Sequence, residues 1–235
     1  MDRILGIICA MEEELEPLMD GFDMNRTVTK AGMEFLHGYL NGLESVLVVS
    51  GIGKVNAAIC TQILIDDFKV SHVINVGVAG GIGKDIAPLD VVIATSLIQH
   101  DFDVTPLGYA KGVIPRLEDS VFKCDEHLSV LAFESATCCG DHKTHKGVIV
   151  TGDQFMSDSE KIRELERTFG AAACEMEGAA VAQACSLNNV PFSVVRSISD
   201  NANTGAGMDY EKFKPHAVRN SANIILKMAA ALKAE

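Results

Sequence analysis

The chain has 235 residues, of which 48% are hydrophobic and 22% charged, enough apolar material for a sizeable core. Its 32 acidic and 20 basic side chains give a formal net charge of −12, which argues against a nucleic-acid partner, since a phosphate backbone needs a basic stripe. No apolar run approaches the roughly 18 residues of a membrane span, and the start, Met1-Asp2-Arg3-Ile4-Leu5, lacks the layout of a signal peptide, so no membrane partner is expected. Seven scattered cysteines, an odd count, suit a reduced, cytoplasmic protein.

In chain order, Ile4 to Cys9 reads as a short buried strand and Glu12 to Asp20 as a helix that Pro17 confines. Glu34 to Leu40 and Glu44 to Ser50 read as strands joined at Asn41-Gly42, a strong hairpin signal. Val55, Ala58, Ile59 and Ile63 recur at helical spacing. His72 to Gly77 is a strand that runs into a glycine-rich turn over 77–83, and Asp90 to Thr95 is another strand. Residues 100–118 carry Gly and Pro and read as a loop. Cys124 to Ala136 and Ser159 to Phe169 read as helices, with a strand over Lys146 to Val150 between them. Pro191 to Ser197 is a strand leading to Asp200, and Asn201 to Gly207 is a polar loop. A last helix carries the stripe Ala217, Ser221, Ile224, Ile225, Met228 and Leu232. Hairpin and alternating β/α signals together imply one α/β domain over 1–235, with a central mixed β-sheet flanked by helices.

In such folds ligands gather at the carboxyl ends of strands, which singles out Asp200, the 77–83 glycines including Gly80, and the segment after Cys9. Glu12, Glu13 and Glu14 form either a solvated helix start or a set from which one carboxylate turns inward. Gly51-Ile52-Gly53-Lys54 is similar to a dinucleotide fingerprint, but Asn56 holds the third glycine position and Val55 rules out a P-loop. Cys138, Cys139, His142 and His145 fit no common zinc spacing. Glu175 and Glu177 flank Met176 inside small apolar residues, where unpaired carboxylates are costly to bury. Arg196 and Asp200 end an apolar strand, as a structural ion pair or as a perturbed carboxyl group in a cleft.

The segments Gly6–Glu14, Ser50–Val55, Asn75–Gly81, His100–Thr105, Thr151–Phe155, Glu175–Glu177 and Arg196–Asp200 together resemble the 5′-methylthioadenosine/S-adenosylhomocysteine nucleosidase family, within the purine nucleoside phosphorylase superfamily. They stand in family order across nearly the whole chain. The resemblance implies a nucleoside phosphorylase/hydrolase-like fold, a homodimer with a shared active site, and no metal or organic cofactor. It implies hydrolysis of the N-glycosidic bond of methylthioadenosine and adenosylhomocysteine, and of 5′-deoxyadenosine, releasing adenine in methionine salvage.

By position, the resemblance makes Glu14 the carboxylate that activates water and Asp200 the acid that protonates adenine N7. Glu177 with Met176 matches the ribose-binding pair, and Arg196 an arginine near the catalytic carboxylates. Phe155 matches the aromatic stacked on adenine, and Met156 a backbone contact to the base. Met11, Ile52 and Tyr210 match apolar positions around the ribose and thio substituent, while Val104, Leu107 and Pro115 match residues supplied by the neighbouring subunit. Val78 stands where many members carry Ser or Thr, and Leu107 where an aromatic is common, which bears on rate and substrate preference. The rival readings are an aminofutalosine nucleosidase, a phosphate-dependent purine nucleoside phosphorylase, and a non-catalytic nucleoside-binding relative.

Overall fold

The apolar run that opens the chain forms β1 (Leu5–Cys9), buried along its whole length. Its side chains alternate between two cores: Ile8 joins one, Leu5, Ile7 and Cys9 the other. A strand buried on both faces needs layers on both sides, and the rest of the chain supplies them. The computed structural model describes residues 3–83, 85–140, 142–201 and 206–235, with side chains described except at 201 and 206–210.

After β1 come α1 (Glu12–Leu15), a 3-10 turn over Glu16–Gly21, and the strands β2 (Phe22–Lys30), β3 (Met33–Leu40) and β4 (Leu43–Val49). Helix α2 (Lys54–Phe68) leads to β5 (His72–Gly81) and β6 (Val91–Gln99). The chain continues through β7 (Phe122–Lys123), α3 (Glu126–Thr137), β8 (Thr144–Thr151) and α4 (Ser159–Phe169). It closes with β9 (Ala171–Glu175), α5 (Gly178–Leu187), β10 (Phe192–Asn201) and α6 (Ala206–Ala234).

The strands form one mixed sheet, as the alternation of signals implies. β1 lies parallel between β4 and β5, with β3 and β2 continuing antiparallel to the edge. On the other side β10 pairs with both β5 and β6, and β9 with both β8 and β5. With β6 paired to β8, the strands β5, β10, β6, β8 and β9 close on themselves. Helices α2 and α5 pack over the core that holds Phe35, Val73 and Val194. Helices α3 and α6 cover the opposite core, which holds Ile74, Val76 and Val195.

The Asn41-Gly42 hairpin forms as expected: Leu40 pairs with Leu43, and both turn residues have positive φ, 47° and 81°. The helix expected over Glu12–Asp20 is shorter. It is α-helical only to Leu15 and tightens into 3-10 geometry where Pro17, which has no N–H to donate, enters. The glycine-rich stretch after Gly77 is strand rather than turn as far as Gly81, because β10 and β9 both pair along it. The strand to Asp200 is likewise longer, extending to Asn201. Four elements lie outside the sequence reading. β2 is a polar, mostly exposed edge strand, β7 is only two residues long, β9 is built largely of Ala, and α5 is mostly small and apolar and so lacks a clear helical stripe.

All seven cysteines are free, and burial pushes the Cys60, Cys124 and Cys174 thiols up to about 12. Cys138 is exposed, and His145 bonds Asp90 at 3.0 Å. Among the described residues no group of three His, Cys, Asp or Glu side chains is placed to hold a metal ion. Among them, too, no helix is long and apolar enough to cross a membrane.

Candidate active site

β1, β4, β5 and β10 run parallel where they meet, so their carboxyl ends rise on one side of the sheet. β9 meets β5 from the opposite direction at Gly80 and Gly81, bringing Cys174 and Glu175 to the same level. The segments that follow these strands enclose one cleft. Met11 and Glu14 come from the β1 end, Ile52 from the β4 end, and Val78 and Gly80 from β5 itself. Phe155 and Met156 follow β8, Met176 and Glu177 follow β9, and Asp200 is the last residue but one of β10. Arg196 lies behind this wall, 1% exposed. Val104, Leu107 and Pro115 sit apart from the cleft, on the segment between β6 and β7, where Leu107 is 74% exposed. The side chain of Tyr210 and part of the loop expected over Asn201–Gly207 lie outside the described residues.

Of the three successive glutamates only Glu14 turns inward; Glu12 and Glu13 stay exposed. Its Oε2 accepts from the amides of Ala10 (2.9 Å) and Met11 (3.1 Å), and its Oε1 from the amide of Val78 (3.0 Å). The Val78 contact is made by backbone, so the missing hydroxyl at this position does not enter it. Gly77 makes the approach possible: a Cβ there would lie 2.6 Å from Glu14 Oε1. Burial pushes the Glu14 carboxyl above its ordinary range, against the opposing pull of Arg196 and the three amides.

Arg196 forms a buried ion pair with Glu175, Nη2 to Oε2 at 2.5 Å, so Glu175 rather than Asp200 is its ion-pair partner. It also donates to the side-chain oxygen of Asn75 and to the carbonyl of Val195. Asn75 in turn donates to the Ile8 carbonyl, tying β5 to β1 behind the cleft. Burial pulls the guanidinium down, but Glu175, Glu177 and Glu14 more than offset it and hold Arg196 charged.

Glu177 accepts from the amide of Gly53 at 2.8 Å, at the amino end of α2, where the helix dipole favours an anion. The next amide, Lys54, donates to Asp153, while Lys54 Nζ pairs with Asp101 at 2.6 Å. Burial, followed by the nearby Glu175 carboxylate, pushes Glu177 up to about 7, and Arg196 opposes the shift. Asp200 is 3% exposed, and its Oδ1 accepts from the Ser199 hydroxyl at 2.8 Å. The β10 register slips between Ile198 and Asp200, a bulge that re-aims the end of the strand.

Asn75, Thr151, Gln154 and Ser199 belong to this region although sequence reasoning did not assign them. Asn75 had a signal, a polar residue inside an apolar strand; Thr151 meets partners far along the chain, Glu175 and Ala179, whereas Ser199 stands beside its partner Asp200. The cleft therefore presents buried carboxyl groups on several walls with a cation behind them. That arrangement suits proton transfer at two points around a bound ligand.

A model of the phosphorylase superfamily matches residues 4–230. A curated 5′-methylthioadenosine/S-adenosylhomocysteine nucleosidase of Bacillus thuringiensis subsp. konkukian is 41% identical over 230 residues, covering 97% of this chain and 99% of that protein. The solved nucleosidase of that kind from S. pneumoniae, with the transition-state inhibitor MT-ImmA, superposes with a TM-score of 0.90 at 40% identity, covering 97% of this chain and 99% of its own. The futalosine hydrolase of Helicobacter pylori superposes with a TM-score of 0.91 at 36% identity, covering 97% of each chain.

The raised Glu177 value makes stability depend on pH. The folded carboxyl titrates near 7 and the unfolded one near about 4.3. The native state therefore holds the proton more tightly, and the stability this gives is full below the lower value and lost as pH rises through the higher. Glu177→Gln, with no charge to bury, is expected to gain on the native chain by on the order of 1–3 kcal/mol between about pH 5 and about pH 8. Denaturation midpoints across that range measure it, and a difference independent of pH would refute the assignment.

Proposed function

The chain belongs to the phosphorylase superfamily and, within it, to the 5′-methylthioadenosine/S-adenosylhomocysteine nucleosidases, and from that premise we propose that it hydrolyses the bond between adenine and a 5′-thio-substituted ribose. The observation that carries the reading is the pair of buried carboxyl groups, Glu14 and Asp200, that face one cleft from different walls with Glu177 also lining it.

Adenine leaves poorly as an anion, so its N7 must be protonated as the bond to the ribose breaks. Asp200, at the end of an apolar strand and 3% exposed, is the acid. The ribose then develops oxocarbenium character, and water must add from the opposite face. Glu14 is the base that orients that water; its three amide donors fix the carboxylate, and burial raises its basicity. This is the division of labour of an inverting glycoside hydrolase. Glu177 accepts from the ribose hydroxyls, an interaction that strengthens in the transition state. Phe155 at the cleft mouth stacks on adenine, with Met156 beside it as a backbone contact, while Met11, Ile52 and Met176 enclose the sugar and thio substituent.

No Lys or Arg is among the described residues that line the cleft. A phosphate dianion beside Glu14 and Glu177 would lack a counter-charge there, which favours water over phosphate as the nucleophile. The likeness to a futalosine hydrolase supports aminofutalosine as a second substrate to test. We also propose a homodimer in which the partner supplies Val104, Leu107 and Pro115. The exposure of Leu107, and of Val55 (70%) and Ile59 (43%) on α2, supports it, since α2 carries apolar residues on its open side.

Asp200→Asn is expected to lower kcat by roughly 10²–10⁴-fold with nucleoside binding retained, and Glu14→Gln to block hydrolysis by a similar factor. Steady-state kinetics with binding by calorimetry measure both, and turnover near that of the native chain in either variant refutes its role. Adenine release from methylthioadenosine, adenosylhomocysteine and aminofutalosine, with and without phosphate, tests the reaction. Strict phosphate dependence would make the enzyme a phosphorylase. Light scattering is expected to give twice the chain mass, and a stable, active monomer would refute the shared site.

A further inference from the structure

Glu175 lines the cleft, yet its carboxylate is almost closed to solvent and already taken up by four protein donors. Its side chain is 2% exposed. Oε1 accepts from the Thr151 hydroxyl, and Oε2 accepts from the amides of Glu177 (3.0 Å) and Gly178 (2.7 Å) and from Arg196 (2.5 Å). Thr151 is itself held by the amide of Ala179 at 2.8 Å. A carboxylate so saturated cannot act as base, acid or substrate ligand, but its partners can. Two of them are the backbone of Glu177 and the guanidinium whose charge acts on both Glu177 and Glu14.

We infer that Glu175 is a positioning residue for the hydrolysis: one carboxylate holds the Glu177 backbone and the Arg196 guanidinium at once, and so fixes where Glu177 meets the ribose and how Arg196 serves Glu14. The inference rests on the proposed reaction and concerns a residue to which that reaction gives no part.

Glu175 takes the place of a cap for α5, whose first amides would otherwise be orphaned in a buried wall. The side chain of Glu177 leaves the backbone at the point that is held, so its reach to the amide of Gly53 depends on this anchor. The charge of Glu175 acts on the same neighbour. Charged groups facing Glu177 are Glu175 from β9, Arg196 from β10 and Glu14 from α1, with the Gly53 amide from α2. Those facing Glu175 are Arg196 and Glu177, and His100 and Cys174 also sense its charge. The like charge of Glu175 disfavours an ionised Glu177, and its hold on Arg196 diverts the cation that would favour one. Removing the charge while keeping the shape therefore makes Glu177 ionise at lower pH.

The test is the dependence of kcat/KM on pH, from about 5 to about 9, for methylthioadenosine with the native chain, Glu175→Gln and Glu175→Ala, each with its thermal melt. In Glu175→Gln the amide oxygen still accepts from the two backbone amides. Its KM at the alkaline plateau is expected within about threefold of native, and its acidic limb lower by about one pH unit. In Glu175→Ala the anchor is gone, and KM is expected to rise about 10-fold or more with a smaller fall in kcat. An inactive native chain would refute the hydrolysis itself. With an active native chain, an unmoved acidic limb in the Gln variant, or an unchanged KM in a folded Ala variant, overturns the positioning role. If the Ala variant does not fold, the Gln variant decides alone. A Gln variant that does not fold assigns Glu175 to the architecture and overturns the inference too.

Discussion

A guanidinium with almost no access to water lies at the centre of this molecule, surrounded by carboxylates. Arg196 is 1% exposed, and its charge would be prohibitive to bury alone. Glu175 neutralises it directly, and Glu14 and Glu177 add to the field that keeps it ionised. Burial pushes Glu14 and Glu177, which line the cleft without an ion-pair contact to Arg196, above their ordinary range, and the pull of the one cation does not undo it. Their raised basicity follows from burial first, which a single cation already paired to Glu175 only partly offsets.

The backbone does the rest of the positioning. Glu14 is gripped by three amides from two segments that meet only because β1 and β5 are parallel neighbours. Glu177 is gripped by the Gly53 amide just before α2, and Asp200 is turned by a bulge in a strand paired on both sides. Each carboxyl group thus sits at the end of a regular element that closes a core, so its place is fixed by the burial of residues far from it. Preorganisation of this kind means that little rearrangement is needed when charge develops on a ligand.

Much of this was legible in the chain itself. The strands whose apolar runs are bounded by turns, such as Ile4–Cys9 and the Asn41-Gly42 hairpin, announced themselves, because burial on both faces and tight reversal leave local marks. Elements whose reason for existing is tertiary did not. β9 is a run of Ala that is a strand because β5 and β8 flank it, and β2 is an exposed edge that is a strand because β3 pairs with it. At the site, acidic residues in apolar surroundings pointed to Glu175, Glu177 and Asp200 on cost alone. The choice of Glu14 over Glu12 and Glu13 rested on resemblance, and the structure supplies the reason: only that position faces the Val78 amide across Gly77. The ion pair of Arg196 went to Glu175 on another strand, a partner that spacing along the chain does not reveal.

The contact between Val78 and Glu14 has a consequence for how this cleft can change over time. Because position 78 addresses the carboxylate through its amide, its side chain is released from that duty. The same point in the wall then serves two masters independently: the main chain keeps the carboxylate aimed, while the side chain is open to drift or to deliberate redesign. A lineage, or an engineer, can reshape the cavity at this position without dismantling the machinery beneath it.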